Sequence, residues 1–363
     1  MNDTKRTNLS GLNPEDFTKD IKGKKTALYI LKNKNGMEVA VTNYGAAVLS
    51  IVVPDKNNQF ASVILSHSDI DSVINSPEPF LSTTIGRYAN RIAKGKFTLD
   101  SKTYTLATNN GANHLHGGPT GFHTRVWDAE QVNETTLELR YTSKDGEEGF
   151  PGKVNVILTY EVEKDRNAFR INYKAKTDRT TIINLTNHGF FNLAGIANPS
   201  TSVEDNVVTI NADYYTPVDE TCIPTGEIAP VEGTPMDFRT PHVVGERIDS
   251  DFEQLKIGIG YDHNYVLCKS EMGALEEAAT CYDPKSGRLM RVYTTEPGVQ
   301  LYTGNWLNGF EGAHGATYPK RSAICFEAQK FPDTPNKPHF PSAKLSPGEI
   351  YKQTTIYAFE VKE

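Results

Sequence analysis

Side chains able to move protons or to hold a neutral polyol are concentrated in a few short stretches of the chain. In Ser322-Ala323-Ile324-Cys325-Phe326-Glu327, Ala323, Cys325 and Glu327 share one face of an extended strand, because strand side chains alternate with period two. Two small residues beside a carboxylate predict open space above the sheet, where a core face would carry bulk. In a partly dry cleft such a carboxyl has its pKa raised and can act as a base near neutrality. A matching acid is offered by Asn184-Leu185-Thr186-Asn187-His188-Gly189-Phe190-Phe191-Asn192-Leu193. There Ile183, Leu185 and Asn187 fall on one side, and Asn184, Thr186 and His188 on the other. A wholly polar face ending in a histidine suits a cleft floor, although a histidine satisfied at a strand end is the plain alternative.

The remaining stretches carry groups that hold a ligand. Ile85-Gly86-Arg87-Tyr88-Ala89-Asn90-Arg91-Ile92 sets an asparagine beside an arginine whose fixed fork of donors suits hydroxyls as well as carboxylates. Surface solvation is the ordinary fate of Arg87 and Arg91. Asn113-His114-Leu115-His116-Gly117-Gly118 puts two histidines on one strand face. That is also how some metal sites begin, but a third ligand at close spacing does not follow. Gly260-Tyr261-Asp262-His263-Asn264-Tyr265 reads as an Asp-bearing turn into a strand, and Pro297-Gly298-Val299-Gln300-Leu301-Tyr302 opposes polar Gln300 and Tyr302 to apolar Val299 and Leu301. Carboxylate, imidazole, amide and guanidinium groups, with Phe190, Trp306 or Phe310 to stack on an apolar sugar face, make up a pocket for a neutral polyol.

These groups must be positioned by strands. Leu28 to Leu31, Met37 to Val41 and Val48 to Val53 are β-rich runs broken by Asn33-Lys34-Asn35-Gly36 and Asn43-Tyr44-Gly45. Val154 to Val162 and Phe169 to Ala175 alternate on either side of a turn at Lys164 to Asn167. Leu137, Leu139 and Tyr141, and Thr355 to Val361, repeat the pattern. Helical periodicity is confined to Ser68 to Asn75 and Val244 to Asp249. With neither internal repeat nor linker, the 363 residues predict an all-β chain, a large sandwich over residues 27–363 with residues 1–26 as an appended arm.

Composition narrows the partners. Hydrophobic content of 37%, charged content of 23% and a mean hydropathy of -0.48 describe an ordinary soluble globular protein. A net charge of -7, without blocks of like charge, argues against nucleic acid or an anionic membrane as partner. No run spans a bilayer and the N-terminus lacks a signal-peptide core, so a cytoplasmic location is expected. The four cysteines, Cys222, Cys268, Cys281 and Cys325, form no Cys-x-x-Cys pair and read as reduced thiols.

Taken in order, Asn43-Tyr44-Gly45-Ala46, Gly86 to Ile92, Leu115-His116-Gly117-Gly118, Gly149-Phe150-Pro151-Gly152, Asn184 to Leu193, Pro235-Met236-Asp237-Phe238-Arg239, Gly260 to Asn264, Pro297 to Gln300 and Glu327-x-Gln329 closely resemble the aldose 1-epimerase family, also called galactose mutarotases. The resemblance extends over nearly the whole chain from about residue 27. It implies a large antiparallel β-sandwich with a concave sugar cleft. By position, Glu327 matches the family's general base and His188 its general acid, while Asn90, Arg91, His116, Asp262 and Gln300 match its sugar-binding residues. Leu65-Ser66-His67-Ser68 departs from a glycine-containing pattern, and Gly189-Phe190 stands where the family often has Ser-Tyr.

The implied reaction opens a free hexose ring and closes it on the other face, without metal or nucleotide, so no cofactor is expected. Reference pKa values of about 6.5 and 4.3 predict a protonated His188 beside an ionised Glu327 just below neutrality. Three other readings remain at this stage. A hexose-6-phosphate epimerase would need basic residues at the cleft rim. A silent sugar-binding domain should have lost its acid or base. A lyase or hydrolase would recruit a second carboxylate, which Asp262 offers. Neither the preferred aldose nor the oligomeric state is legible.

Overall fold

The structure, a computed structural model, describes residues 8–197 and 200–362. The alternating hairpin forms as its pattern requires. Val154–Val162 and Ala168–Thr177 pair with Tyr160 opposite Ile171, Leu158 opposite Tyr173 and Val156 opposite Ala175, and this inward set is buried. A one-residue slip would turn all of these apolar side chains to solvent, so burial of one face fixes the register. Nine antiparallel strands build outward from the hairpin, in the order Asp128–Asn133, Thr136–Ser143, Val154–Val162, Ala168–Thr177, Tyr351–Val361, Arg288–Thr294, Glu276–Tyr282, Val207–Ile210 and His242–Val243. The C-terminal strand thus lies mid-sheet, between residues 168–177 and 288–294.

Two smaller sheets cover this one. Five strands run Ala229–Pro230, Tyr214–Tyr215, Asp262–Val266, Gly298–Tyr302 and Cys325–Gln329, and four run Leu28–Lys32, Glu38–Thr42, Val48–Pro54 and Phe60–Ser62. Val299, Leu301 and Phe326 of the five-stranded sheet share one apolar core with Tyr160, Ile171, Tyr357 and Phe359 of the nine-stranded sheet. Polar ties cross the same gap. The Tyr357 hydroxyl donates to Phe326 O at 2.9 Å, and the Gln353 amide donates to Ala328 O at 3.1 Å. One face of the strand that bears Glu327 is therefore held rigidly from below, and the other is free to carry chemistry.

Of the arm expected over residues 1–26, residues 1–7 lie outside the described residues. Leu12 and Phe17 are buried with Tyr44, Leu49 and Val126, and the Leu9 and Ser10 amides donate to the buried Glu38 carboxylate at 2.9 and 2.8 Å. The expected helical turns occur at Ile70–Ile74 and Val244–Arg247. A further one, Glu253–Gly258, escapes sequence reading because a helix this short completes too few turns to display a period.

The stretch expected to be one strand at Ile183 to His188 is instead a chain of brief pairings. Thr181–Ile182 pairs with Lys344–Leu345, Asn184 bridges Tyr88, and Thr186–Asn187 pairs with Thr84–Ile85. Its sides still alternate, with Ile183 and Leu185 in the main core. The polar side is not a cleft floor, however. Asn184 donates to Ala89 O and Lys330 O, each at 3.2 Å, and accepts from Lys330 N at 2.8 Å, so it stitches three segments together. Only His188 of that side reaches the cleft.

Candidate active site

Register in the five-stranded sheet aligns the polar groups. Asn264, Gln300 and Glu327 are direct cross-strand neighbours, and Asp262, Tyr302 and Cys325 form the adjacent row. Intervening Val299, Leu301 and Phe326 point into the core. The open space expected above Ala323 and Cys325 is filled. Both residues pack against Phe190, Tyr302, Leu307 and Tyr318 in a second apolar cluster. Small side chains there admit aromatic rings, and the cavity begins only at Glu327.

His188 stacks on Phe190, with ring centres 4.7 Å apart and planes at 10°. Phe190 is completely buried, which removes it as a sugar platform and makes it the bed of the imidazole. His188 Nε2 stands 3.5 Å from Glu327 Oε1. Both side chains are buried, and His188 Nδ1 and Glu327 Oε2 have no hydrogen-bond partner among the described residues. Burial drives the His188 imidazole down to about 3. It pushes the Glu327 carboxyl well above its usual range, helped by the Asp262 charge and opposed by Arg91. Both shifts disfavour the charged pair expected from reference values. A low-polarity site favours a neutral imidazole beside a protonated carboxyl, which holds the same single proton.

Asn90 and His116 are fixed reciprocally. Both adopt left-handed backbone, with φ of 63° and 51°. The Asn90 amide donates to His116 Nδ1 at 3.1 Å, and the His116 amide returns a bond to Asn90 O at 3.0 Å. This turn separates the two histidines expected to share a face. His116 enters the cavity, with its ring centre 5.1 Å from that of His188. His114 bonds Ala107 O at 2.8 Å through Nδ1 and packs edge-on against Phe150. Gly117 makes the turn possible, since φ is +82° and a Cβ would lie 2.0 Å from Gly86 O.

Neither arginine of the Gly86 to Ile92 stretch is at the surface. Arg87 is buried in the scaffold and donates to Gly152 O at 2.6 Å, to Thr181 Oγ1 at 2.7 Å and to Pro151 O, which accounts for Gly149-Phe150-Pro151-Gly152. Arg91 lines the cavity, donating from Nε to Asn110 Oδ1 at 3.0 Å and lying 3.8 Å from Asp262. Gln300 does not line the cavity. It donates to Asp262 Oδ1 at 2.7 Å and accepts from Gln329 at 3.2 Å, so it sits behind Asp262.

The cavity measures about 570 Å³ and brings together Asn90, Arg91, His116, His188, Asp262 and Glu327. Sequence reasoning did not find Glu78, Phe80 or Asn110, which also line it. Ser76-Pro77-Glu78-Pro79 reads only as a turn, and no local pattern aims it at a distant strand. Of the aromatics considered for stacking, Trp306 is 57% exposed at the cavity wall, while Phe310 packs against Tyr318 away from it.

Tertiary packing also supplies the third group that a metal reading lacked. Ligand atoms of His116, His188 and Glu327 lie within 4.8 Å of one another. The donor set does not fit a cation well. His116 Nδ1 accepts from the Asn90 amide, so the neutral ring carries its proton on Nε2 and presents a donor, not a lone pair. A hydroxyl oxygen is the better match.

Fold and site thus define a class: an antiparallel β-sandwich protein with a buried carboxyl–imidazole pair in a cleft of hydroxyl-binding groups. Comparison with known proteins gives this class a family. The family description "Aldose 1-epimerase" matches residues 27–358. A galactose mutarotase from Sus scrofa is 43% identical over 326 residues, covering 90% of this chain and 92% of that protein. An aldose 1-epimerase from Escherichia coli (strain K12) is 34% identical over 93% of this chain and 96% of that protein. The crystal structure of a galactose 1-epimerase from Lactobacillus acidophilus NCFM superposes with a TM-score of 0.82 at 30% identity, covering 95% of this chain and 97% of that one. The chain belongs to the aldose 1-epimerase family, and it is an isomerase that interconverts the α and β anomers of hexoses.

Proposed function

We propose that this epimerase acts on free galactose and glucose, with Glu327 as general base and His188 as general acid. The observation that carries the reading is the pair itself, 3.5 Å apart and buried at the floor of the cavity. A bound hexose brings hydroxyl and ring oxygens into hydrogen bonds with the pair, which compensates charge that burial alone disfavours. The single shared proton then resides on His188. Glu327 takes the proton from the anomeric hydroxyl, the C1–O1 bond becomes a carbonyl, and the C1–O5 bond breaks as His188 protonates O5. Rotation about C1–C2 presents the other carbonyl face. His188 now removes the O5 proton as O5 adds to C1, and Glu327 returns its proton to O1. Each positioned transfer contributes roughly 10² to 10⁴ in rate.

Asn90, Arg91, His116 and Asp262 hold the sugar in this reading, with His116 Nε2–H and the Arg91 guanidinium as donors to oxygens that gain charge. Gln300 acts through Asp262. No step needs a metal or an organic cofactor. A hexose 6-phosphate is the poorer substrate, because Arg91 is the one arginine or lysine lining the cavity among the described residues and Asp262 and Asn110 already engage it. Cys222, Cys268, Cys281 and Cys325 are free thiols, which supports a cytoplasmic location.

The test is polarimetry of freshly dissolved α-D-galactose and α-D-glucose in a weakly catalytic buffer. Faster approach to the same final rotation is expected, with Glu327→Gln and His188→Asn each slower by at least about 100-fold. Near-normal turnover by either folded variant removes that residue from the mechanism.

A further inference from the structure

We propose that Glu78 is a specificity-determining residue that excludes anionic aldoses, those carrying a carboxylate or a phosphate, from the cleft. The inference rests on the free-sugar reading above and adds a selection to it.

Glu78 reaches the cavity from the turn that precedes Phe80, and Glu327 reaches it from the strand Cys325–Gln329. That turn is held by a relay that starts in the stretch departing from the family pattern. His67, within the departing Leu65-Ser66-His67-Ser68 stretch, contacts Ser76 Oγ through Nε2 at 2.8 Å, and Ser76 Oγ donates to Glu78 O at 2.8 Å. Since the hydroxyl proton is spent on the carbonyl, the serine oxygen accepts from His67, and the relay runs from His67 to Ser76 to the Glu78 backbone. The Leu81 amide bonds the same carbonyl at 3.1 Å, and the Phe80 amide donates to Glu78 Oε1 at 3.3 Å. Glu78 is thus a carboxyl on a braced turn, and among the described residues it makes no ion pair.

The charges around the cavity explain what this carboxyl does. Glu78, Glu220, Asp262 and Glu327 line it against Arg91, the one arginine or lysine of the lining among the described residues. His116 and His188 are held neutral by burial. A ligand anion meets carboxylates without an uncommitted cation, and a low-dielectric wall leaves like charges poorly screened. Glu78 and Glu220 are the members of this set outside the proton-transfer pair and the Arg91–Asp262 contact, and of these two it is the charge of Glu78 that is felt at Glu327 and Tyr302.

Exclusion should also vary with pH. Burial pushes the Glu78 carboxyl up to about 7, against the Phe80 amide bond. The groups around it are Tyr302, Cys325 and Glu327 on the sheet, His116 and His123 beyond Phe80, His67 behind Ser76, and Arg91, Asp262 and Glu220 on the cavity wall. None of these histidines charges near neutrality, because burial holds His67 and His123 near 4 and His116 well below its ordinary value. Outside the catalytic pair, Glu78 is therefore the group whose own charge develops through pH 7.

The experiment measures kcat/KM for galactose and for galacturonate, which differ by a carboxylate in place of a hydroxymethyl group, between pH 5.5 and 8.5. The galactose-to-galacturonate ratio cancels the titration of the shared catalytic pair. In the wild type this ratio should rise about five- to tenfold across pH 7. In Glu78→Gln it should be low and flat with pH. A flat ratio in the wild type, or an equal ratio at pH 8 in wild type and variant, overturns the proposal; so does equal refusal of galacturonate by both. The wild-type pH series keeps the test decisive if the variant does not fold. Absence of galactose turnover in the wild type would instead strike the free-sugar reading itself.

Discussion

Removing the Gln300 amide separates two roles that the family resemblance merges. The resemblance makes Gln300 a sugar ligand, whereas its amide donates to Asp262 Oδ1 at 2.7 Å and the side chain does not line the cavity. If Gln300 acts by holding Asp262, then Gln300→Ala should lose about the free energy of one buried hydrogen bond to a charged acceptor, roughly 1.5 to 3 kcal/mol. That corresponds to about 10- to 150-fold in kcat/KM. Asp262→Ala should cost at least as much, since it deletes the group being held. The double variant decides the matter, because Gln300 has nothing left to hold once Asp262 is gone. We expect Gln300→Ala to cost little further in an Asp262→Ala background, within about 0.5 kcal/mol. The assay is mutarotation of α-D-galactose followed by polarimetry at several sugar concentrations, with a thermal melt on each variant to establish that it is folded. Full additivity, in which the double variant loses the product of both single factors, would refute the argument and make Gln300 a direct sugar ligand.

Other outcomes follow from the same geometry. Trp306→Ala should raise KM for both hexoses by about tenfold with kcat nearly unchanged, as expected of a stacking wall that grips substrate and transition state alike; a loss confined to kcat would give the ring another role. Gly117→Ala forces a Cβ to within 2.0 Å of Gly86 O at a positive φ, and this should cost several kcal/mol or abolish folding, as read by urea unfolding; wild-type stability would mean that the turn yields. Acid should destabilise the fold through His67, His123 and His263, which burial holds near 4. The folded chain binds fewer protons than the unfolded one between pH 4 and about 6.5, so stability is full above pH 6.5 and falls as the pH drops. Each imidazole should contribute a loss of about 2 kcal/mol at pH 5. A denaturation midpoint constant from pH 7 to 5 would show that these rings are hydrated.

Much of this protein was readable without its tertiary structure. The hairpin of residues 154–177 announces itself because one face is buried over many residues, so that period-two alternation survives. Gln300 and Tyr302 opposed to Val299 and Leu301 foretold a sheet with a core side and a chemical side, since the alternation is a property of the extended chain itself. The motifs of Glu327 and His188 likewise marked two residues that the fold brings together in the cavity.

Tertiary structure decided what those residues are next to, and hence their chemistry. The protonation of Glu327 and His188 depends on burial supplied by distant segments, which reference values omit. Phe190 became a bed for an imidazole, and Arg87 a scaffold tie, because partners far away in the chain close over them. His114 and His116 diverged at a left-handed turn that only contact between Gly117 and the Gly86 backbone requires. Glu78 stands in a turn whose local sequence says nothing of the strand it faces. A strand's pattern records which side meets water, whereas the character of a site depends on the dielectric and the charges that the folded chain collects around it.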